Sequence, residues 1–339
     1  MVFQQKLGTL ADKTTRLAAV TEALANTLGA DPQQAARAAQ LCKCDLVSEM
    51  VLEFPELQGI AGSHYARHDG ETDEVAQAIE EHYWPRFAGD KLPQTREAAA
   101  VALADRADTL VGIFGIGQHP TGSRDPFALR RAALSVIRII IDLQSPLSLR
   151  QLFDLAASQF ADGVIASDSA EVTTHYVLER LRAYYGDQGI SIEALRAVTA
   201  VGVDAPLTID ARVRALDAIA GSPDAVALAA ANKRVANLLA KADSGEATTT
   251  DPGLLSQEEE KKLYHALEQA EAAVKPLLES ADYAGALKVM ATLREPVDQF
   301  FDAVMVNADD PALKRNRLAL LAQLRSLFLQ VADIAELAS

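Results

Sequence analysis

Apolar positions recur at helical spacing from one end of the chain to the other. Leu17, Val20, Leu24 and Leu28 form a first stripe, the pattern of a helix that buries one face. Asp31-Pro32 supplies an N-cap and a first-turn proline for a second helix, predicted to run to about Glu53, with Pro55 closing it. Val75, Ile79 and His82 share the apolar face of a third, ended by Pro85. Thr95 caps a fourth, which carries Leu103, Ala107 and Leu110 and ends near Gly112. Asp125-Pro126 opens a fifth. Beyond Ser145-Pro146 the predicted helices lengthen and the loops become more polar. Ser222-Pro223-Asp224 starts one helix, and Ser256 with Glu259 forms a capping box for another. Asp310-Pro311 opens the last, with Leu313, Leu320, Leu324, Leu327 and Val331 as its buried stripe. Asp243–Gly253 is low in complexity and reads as a flexible loop. Alternating strand patterns are absent. The expectation is an all-α protein of two domains, 1–150 and 151–339.

Composition agrees with helix. Alanine is abundant and aromatics are only 5% of 339 residues, so most positions lose little side-chain entropy in a helix. Apolar residues make up 49%, enough for a core in each domain. No run approaches a membrane span, since Arg138 interrupts the apolar stretch near Val136–Ile141. The opening MVFQQKLGTLADK enters amphipathic helix directly, which reads as the start of a fragment rather than a secretory signal. Cys42 and Cys44 are two apart and face different ways on a helix, as expected of reduced thiols in a cytoplasmic protein. The formal net charge is −15, divided as −4 before residue 151 and −11 after it. A protein that coats nucleic acid non-specifically is basic, so any nucleic-acid contact here must use local patches.

The stretch VALADRADTLVGIFGIGQHPTGSRDPFALRRAAL, Val101–Leu134, combines acids, glycines and arginines. Asp105 and Asp108 share a helix face, and Asp45 lies near Glu49. Such carboxylates suit a hard cation or acid–base work. The blander expectation is that they pair with Arg16, Lys43, Arg130 or Arg131 to hold helices in register. The loop GIGQHPTG has neither the preceding strand nor the Gly-Lys-Ser/Thr ending of a phosphate-binding loop, and ends in Gly122-Ser123-Arg124. His64 and His68 are four apart, but Gly62 and Gly70 argue against a helix there, and His82 reads as a hydrogen-bonded core residue. With no zinc or nucleophile motif, no catalytic residue and no metal site is assigned. Arg131 and Arg138 are nearly eclipsed, with Arg130 about 80° round the helix from Arg138. On an otherwise apolar helix they need acids or phosphate, internal acids being the first expectation.

Two basic stripes lie in the second half. Lys233, Arg234, Asn237 and Lys241 cover one side of a helix, and Lys314, Arg315, Asn316 and Arg317 cluster at the start of the last one. Cations at a helix start oppose the macrodipole unless an anion is near. Lys, Arg and Asn are also the groups that contact phosphates and base edges in single-stranded loops. These eight are the candidate RNA-binding residues.

Asp45–Gly59 (DLVSEMVLEFPELQG), Glu80–Pro93 (EEHYWPRFAGDKLP) and Val101–Leu134 resemble the β subunit of bacterial two-subunit glycyl-tRNA synthetase. Asn232–Leu239 (NKRVANLL), Arg294–Asp309 (REPVDQFFDAVMVNAD) and Asn316–Leu321 (NRLALL) are similar to its C-terminal anticodon-binding region. The resemblance covers essentially the whole chain and corresponds to the C-terminal half of such a subunit. It implies an HD-like helical domain followed by a helical anticodon-binding domain like that of arginyl-tRNA synthetase. It implies as partners the tRNA for glycine and the α subunit, which forms glycyl-adenylate, and no membrane or DNA. ATP and Mg would serve the whole ligase, with no cofactor held by this part. Metal-dependent HD hydrolases need a His, a His-Asp dipeptide and a later Asp. Asp105 matches the last, but Cys44-Asp45 preceded by Lys43 stands at the dipeptide. The resemblance therefore implies a degenerate, structural site of Lys43, Asp45, Asp105, Asp108, Arg130 and Arg131. The competing readings are a working HD-type phosphohydrolase and an assembly scaffold without RNA contact.

Overall fold

The computed structural model describes residues 1–122, 124–241 and 249–338. Helices carry the fold. Among the described residues the named strands are one short antiparallel pair, β1 (Val2–Gln4) and β2 (Gly8–Thr9). The chain divides into two units, Met1–Tyr184 with Asp204–Leu207, and Tyr185–Val203 with Thr208–Ser339.

The first unit is assembled around α6 (Arg96–Gly115), which is buried on nearly every side. Against it pack α1 (Leu10–Leu28), α2 (Pro32–Leu41), α5 (Asp73–Glu81), α7 (Leu129–Asp142) and α8 (Leu149–Ala157). Short α3 (Glu49–Glu53) and α4 (Ile60–His68) complete this side. The expected caps form, Asp31 on α2 and Thr95 on α6. The second helix does not reach Glu53 unbroken. It stops at Leu41, a 3-10 turn spans Cys44–Val47, and Ser48 caps α3 anew. Cys42 is buried and Cys44 exposed, both free.

The glycines deceive the sequence reading twice. Gly62 lies inside α4, so His64 and His68 are helical after all. A Cβ there would sit 2.9 Å from Ile79 and 3.0 Å from Asp45. Gly112 and Gly115 are likewise inside α6 rather than beyond its end. A Cβ on Gly112 would meet Leu7 and Phe160 at 2.9 and 3.0 Å, and one on Gly115 would lie 2.5 Å from the Ile165 Cβ. They let neighbouring chain approach the helix. The fifth helix starts later than its Asp-Pro signal. Asp125 accepts from the Leu129 and Arg130 amides, but Ala128 is left-handed at φ 53°, so α7 begins at Leu129.

The first unit extends past residue 150. Leu149, Leu152 and Phe153 of α8 are buried against α6, and the Leu149 amide donates to the Asp204 carbonyl. Helix α9 (Ser169–Gly186) follows. The second unit contains α10 (Ile192–Thr199), most of α11 (Pro206–Ala220), α12 (Pro223–Lys241), α13 (Glu258–Glu279), α14 (Tyr283–Ala291), α15 (Arg294–Ala303) and α16 (Pro311–Leu329). Helix α12 packs on α14, α15, α16 and the closing 3-10 turn Ile334–Ala338, and α13 also packs on α14, α15 and α16. Asp310 caps α16 as expected, while the capping box of α13 uses Gln257 and Glu260, one residue later than Ser256 and Glu259. Of the Asp243–Gly253 stretch, residues 243–248 lie outside the described residues, as does Ser123 of the loop ending.

Candidate functional site

In the first unit the acids of α6 are held by amines. Lys13, one residue in the buried row Lys13, Leu17, Val20 and Leu24 of α1, reaches Asp105 and Asp108, each at 2.9 Å. Arg16, one turn on, grips Asp108 with Nε at 2.6 Å and Nη2 at 3.2 Å. Lys43, in the linker after α2, lies 2.8 Å from Asp105 and 2.8 Å from His82 Nε2. His82 Nδ1 faces the Ile79 carbonyl at 2.7 Å. It therefore donates there, which leaves Nε2 to accept from the Lys43 ammonium. Burial and the Lys43 charge hold the His82 pKa well below the ordinary imidazole value. Burial opposes the charge on Lys43, but Asp105 outweighs it and pushes the ammonium up. Burial likewise opposes the Asp105 carboxylate, yet Lys13 and Lys43 hold it well below the usual carboxylate range.

An imidazole and a carboxylate that converge as cation ligands would thus have the lysine's own cation between them. Among the described residues, no group of three or more His, Cys, Asp or Glu is placed to hold a metal ion. Asp45 is spent elsewhere: its Oδ2 accepts from the Gly59 and Gly62 amides at 2.7 and 3.2 Å, closing the start of α4. Of the partners expected for the acids, Arg16 and Lys43 are in place. Arg130 and Arg131 are not. Arg130 donates to the Gly122 carbonyl at 2.5 Å, and Arg131 is exposed at the mouth of a cavity. Arg138 donates to the Asp90 carbonyl rather than to an acid.

That cavity, about 370 Å³, is walled by Tyr83, Arg86, Asp105, Arg106 and Arg131, among others. No local pattern in the sequence marks Arg106 as a site residue. It stands beside Asp105 but turns away, donating to the backbone carbonyls of His82, Tyr83 and Trp84.

In the second unit the two basic stripes part company. Lys233, Arg234, Asn237 and Lys241 of α12 are all exposed and line one shallow recess of about 450 Å³. Lys233 donates to the Ala338 carbonyl at 2.9 Å, and the Arg234 guanidinium lies 4.2 Å from the centre of the Phe301 ring of α15. Lys314 and Arg315 are exposed as expected. Asn316 and Arg317 are not available to RNA. Asn316 is buried and pairs twice with the Asp251 backbone, at 2.7 and 3.0 Å. Arg317 forms a buried ion pair with Glu260 and donates to the Met305 carbonyl at 2.8 Å. Both sit in the apolar row of α16, where a polar side chain must find an internal partner.

Residues 228–335, which include the α12 residues of this recess, match the family model of the DALR anticodon binding domain. Residues 1–200 match the model of the glycyl-tRNA synthetase beta subunit, and the chain belongs to that family. It is 56% identical over 337 residues to the glycine–tRNA ligase beta subunit of Chromohalobacter salexigens, covering 99% of this chain and 49% of that one. The beta subunits of Acinetobacter baumannii and Pseudomonas fluorescens are 52% and 50% identical, with the same coverage of each chain. The chain spans about half the length of the curated relatives it matches. No helix among the described residues is long and apolar enough to cross a membrane.

Proposed function

We propose that this chain is a tRNA-binding part of a glycine–tRNA ligase and that its second unit grips the anticodon arm of the tRNA for glycine. The observation that carries the reading is the α12 recess. Three cations and an asparagine on one exposed helix face lie within the region that matches the anticodon-binding model, in a protein whose net charge is −15. A general attraction for polyanions does not explain such a patch, but a local grip on phosphates does. Arg234 resting on Phe301 has a fixed aim, and Lys314 and Arg315 extend the candidate surface on α16. The first unit, HD-like in this reading, serves packing or tRNA positioning. Adenylate formation, with ATP and Mg, belongs to the α subunit of the cytoplasmic ligase. Against phosphohydrolase activity stands Lys43, whose ammonium lies between His82 and Asp105.

A second reading, an assembly scaffold without RNA contact, is favoured by the exposed apolar side chains Val47, Leu52 and Phe54. Titration of labelled glycine tRNA, followed by anisotropy, separates the two. The double variant Lys233→Glu/Lys241→Glu changes only exposed positions and should weaken tRNA binding at least tenfold. Equal affinity of variant and parent would remove the recess from the RNA surface.

A further inference from the structure

We infer that the first-unit cavity beside Asp105 is a metal-free binding site for a phosphate group. Its wall carries three guanidinium side chains, Arg86, Arg106 and Arg131. Among the described residues none of them forms an ion pair. Arg86 donates to the Gln58 carbonyl at 2.8 Å, and Arg106 donates only to backbone carbonyls. The one acid in the wall, Asp105, is already held by Lys13 and Lys43. The wall therefore sets three guanidiniums against one carboxylate, and Asp105 offsets only part of their charge. This occurs in a chain with an excess of acids, where stray arginines would readily find carboxylates.

The position of Arg131 adds an independent argument. It stands in the first turn of α7, where the helix dipole disfavours a cation and favours an anion. A phosphate in the cavity would reverse the sign of that interaction and meet guanidinium donors whose planar forks suit its oxygens. Burial pulls the Arg106 pKa down to about 10, with Asp105 opposing the shift and the nearby Arg131 adding to it. A bound anion would relieve both guanidiniums. The volume, about 370 Å³, exceeds the need of one phosphate, and Tyr83, Pro85 and Phe127 offer apolar surface to whatever group carries it. Two sources share this chemistry, a small phosphate compound and a phosphate of RNA.

The test is calorimetric titration of the full chain with inorganic phosphate, at an ionic strength held constant with chloride. One saturable site is expected. Arg131→Glu, at an exposed position, should weaken it at least tenfold, and Arg131→Lys much less. The same titration after saturation with glycine tRNA identifies the source. Phosphate displaced by tRNA, together with weaker tRNA binding by Arg131→Glu, assigns the site to RNA. Phosphate that still binds assigns it to a free compound. Absence of a saturable site, or equal binding by parent and Arg131→Glu with unchanged melting, overturns the proposal. Because Lys233 and Lys241 lie outside this cavity, loss of the α12 surface would leave the phosphate result standing.

Discussion

Arg315 and Arg317 are two residues apart on α16 and have opposite fates. Arg315 is exposed, whereas Arg317 lies inside against Glu260. Removing one member of a buried pair leaves the other charge without compensation, at a cost of about 3–5 kcal/mol. Arg317→Ala should lose about that much in urea denaturation, while Arg315→Ala should stay within about 0.5 kcal/mol of the parent. The sequence held the signal for this difference. The apolar row of α16 steps from Leu313 to Leu320, Leu324 and Leu327, and its missing turn falls at residues 316 and 317. Lys13 fills a comparable place in the row of α1, and its residue type hides it in the same way. A charged residue in a buried row has its partner inside the fold, which a reading based on residue type alone does not see.

Titration at His82 is also a residue-scale property. Its folded pKa is depressed by burial and by Lys43, whereas the unfolded imidazole titrates near about 6.5. Below that value the unfolded chain takes up a proton that the folded chain refuses. The contribution is therefore complete at higher pH and is lost as pH falls. Asp105, also depressed, acts in the same direction below about pH 4, the unfolded carboxylate value. Urea denaturation should show stability declining between about pH 7.5 and 5.5. His82→Gln, whose amide oxygen can still accept from Lys43, should flatten that decline. A parent protein with no slope in this window contradicts a neutral buried His82.

At the scale of elements, α6 sets the geometry. Its two acids meet Lys13 and Arg16 of α1, and its glycine positions admit Leu7, Phe160 and Ile165. Gly115→Ala would put a Cβ 2.5 Å from that of Ile165. Overpacking of this kind costs about 1–3 kcal/mol, and the lowered denaturation midpoint should appear without any change in helix content. Helix starts were legible at Asp31, Thr95 and Asp310, where the cap directly precedes the helix. The start of α7 was not. Asp125 still caps α7, but the left-handed Ala128 delays the helix by one turn. Glycine suggests a loop at 62, 112 and 115, yet at each the missing Cβ makes room for a neighbour. That purpose depends on residues remote in sequence, so local pattern could not reveal it.

For the whole molecule, charge placement matters more than total charge. A net −15 would repel RNA everywhere except where cations are gathered. The α12 recess gathers Lys233, Arg234 and Lys241 in one place, and that grouping was legible because one helix face carries all three. The cavity in the first unit was not, because Arg86, Arg106 and Arg131 come from separate elements. The proposed grip of the second unit on the anticodon arm of glycine tRNA is a whole-molecule property. Its most direct test is the anisotropy titration of glycine tRNA across a salt series, run in parallel with a tRNA of altered anticodon. Three phosphate contacts predict a slope of log affinity against log salt of about −2 or steeper. The altered anticodon should bind at least tenfold more weakly, and Lys233→Glu/Lys241→Glu should flatten the slope. Equal affinity for both tRNAs, with a slope unaffected by the double variant, would show that the α12 recess does not grip the anticodon arm.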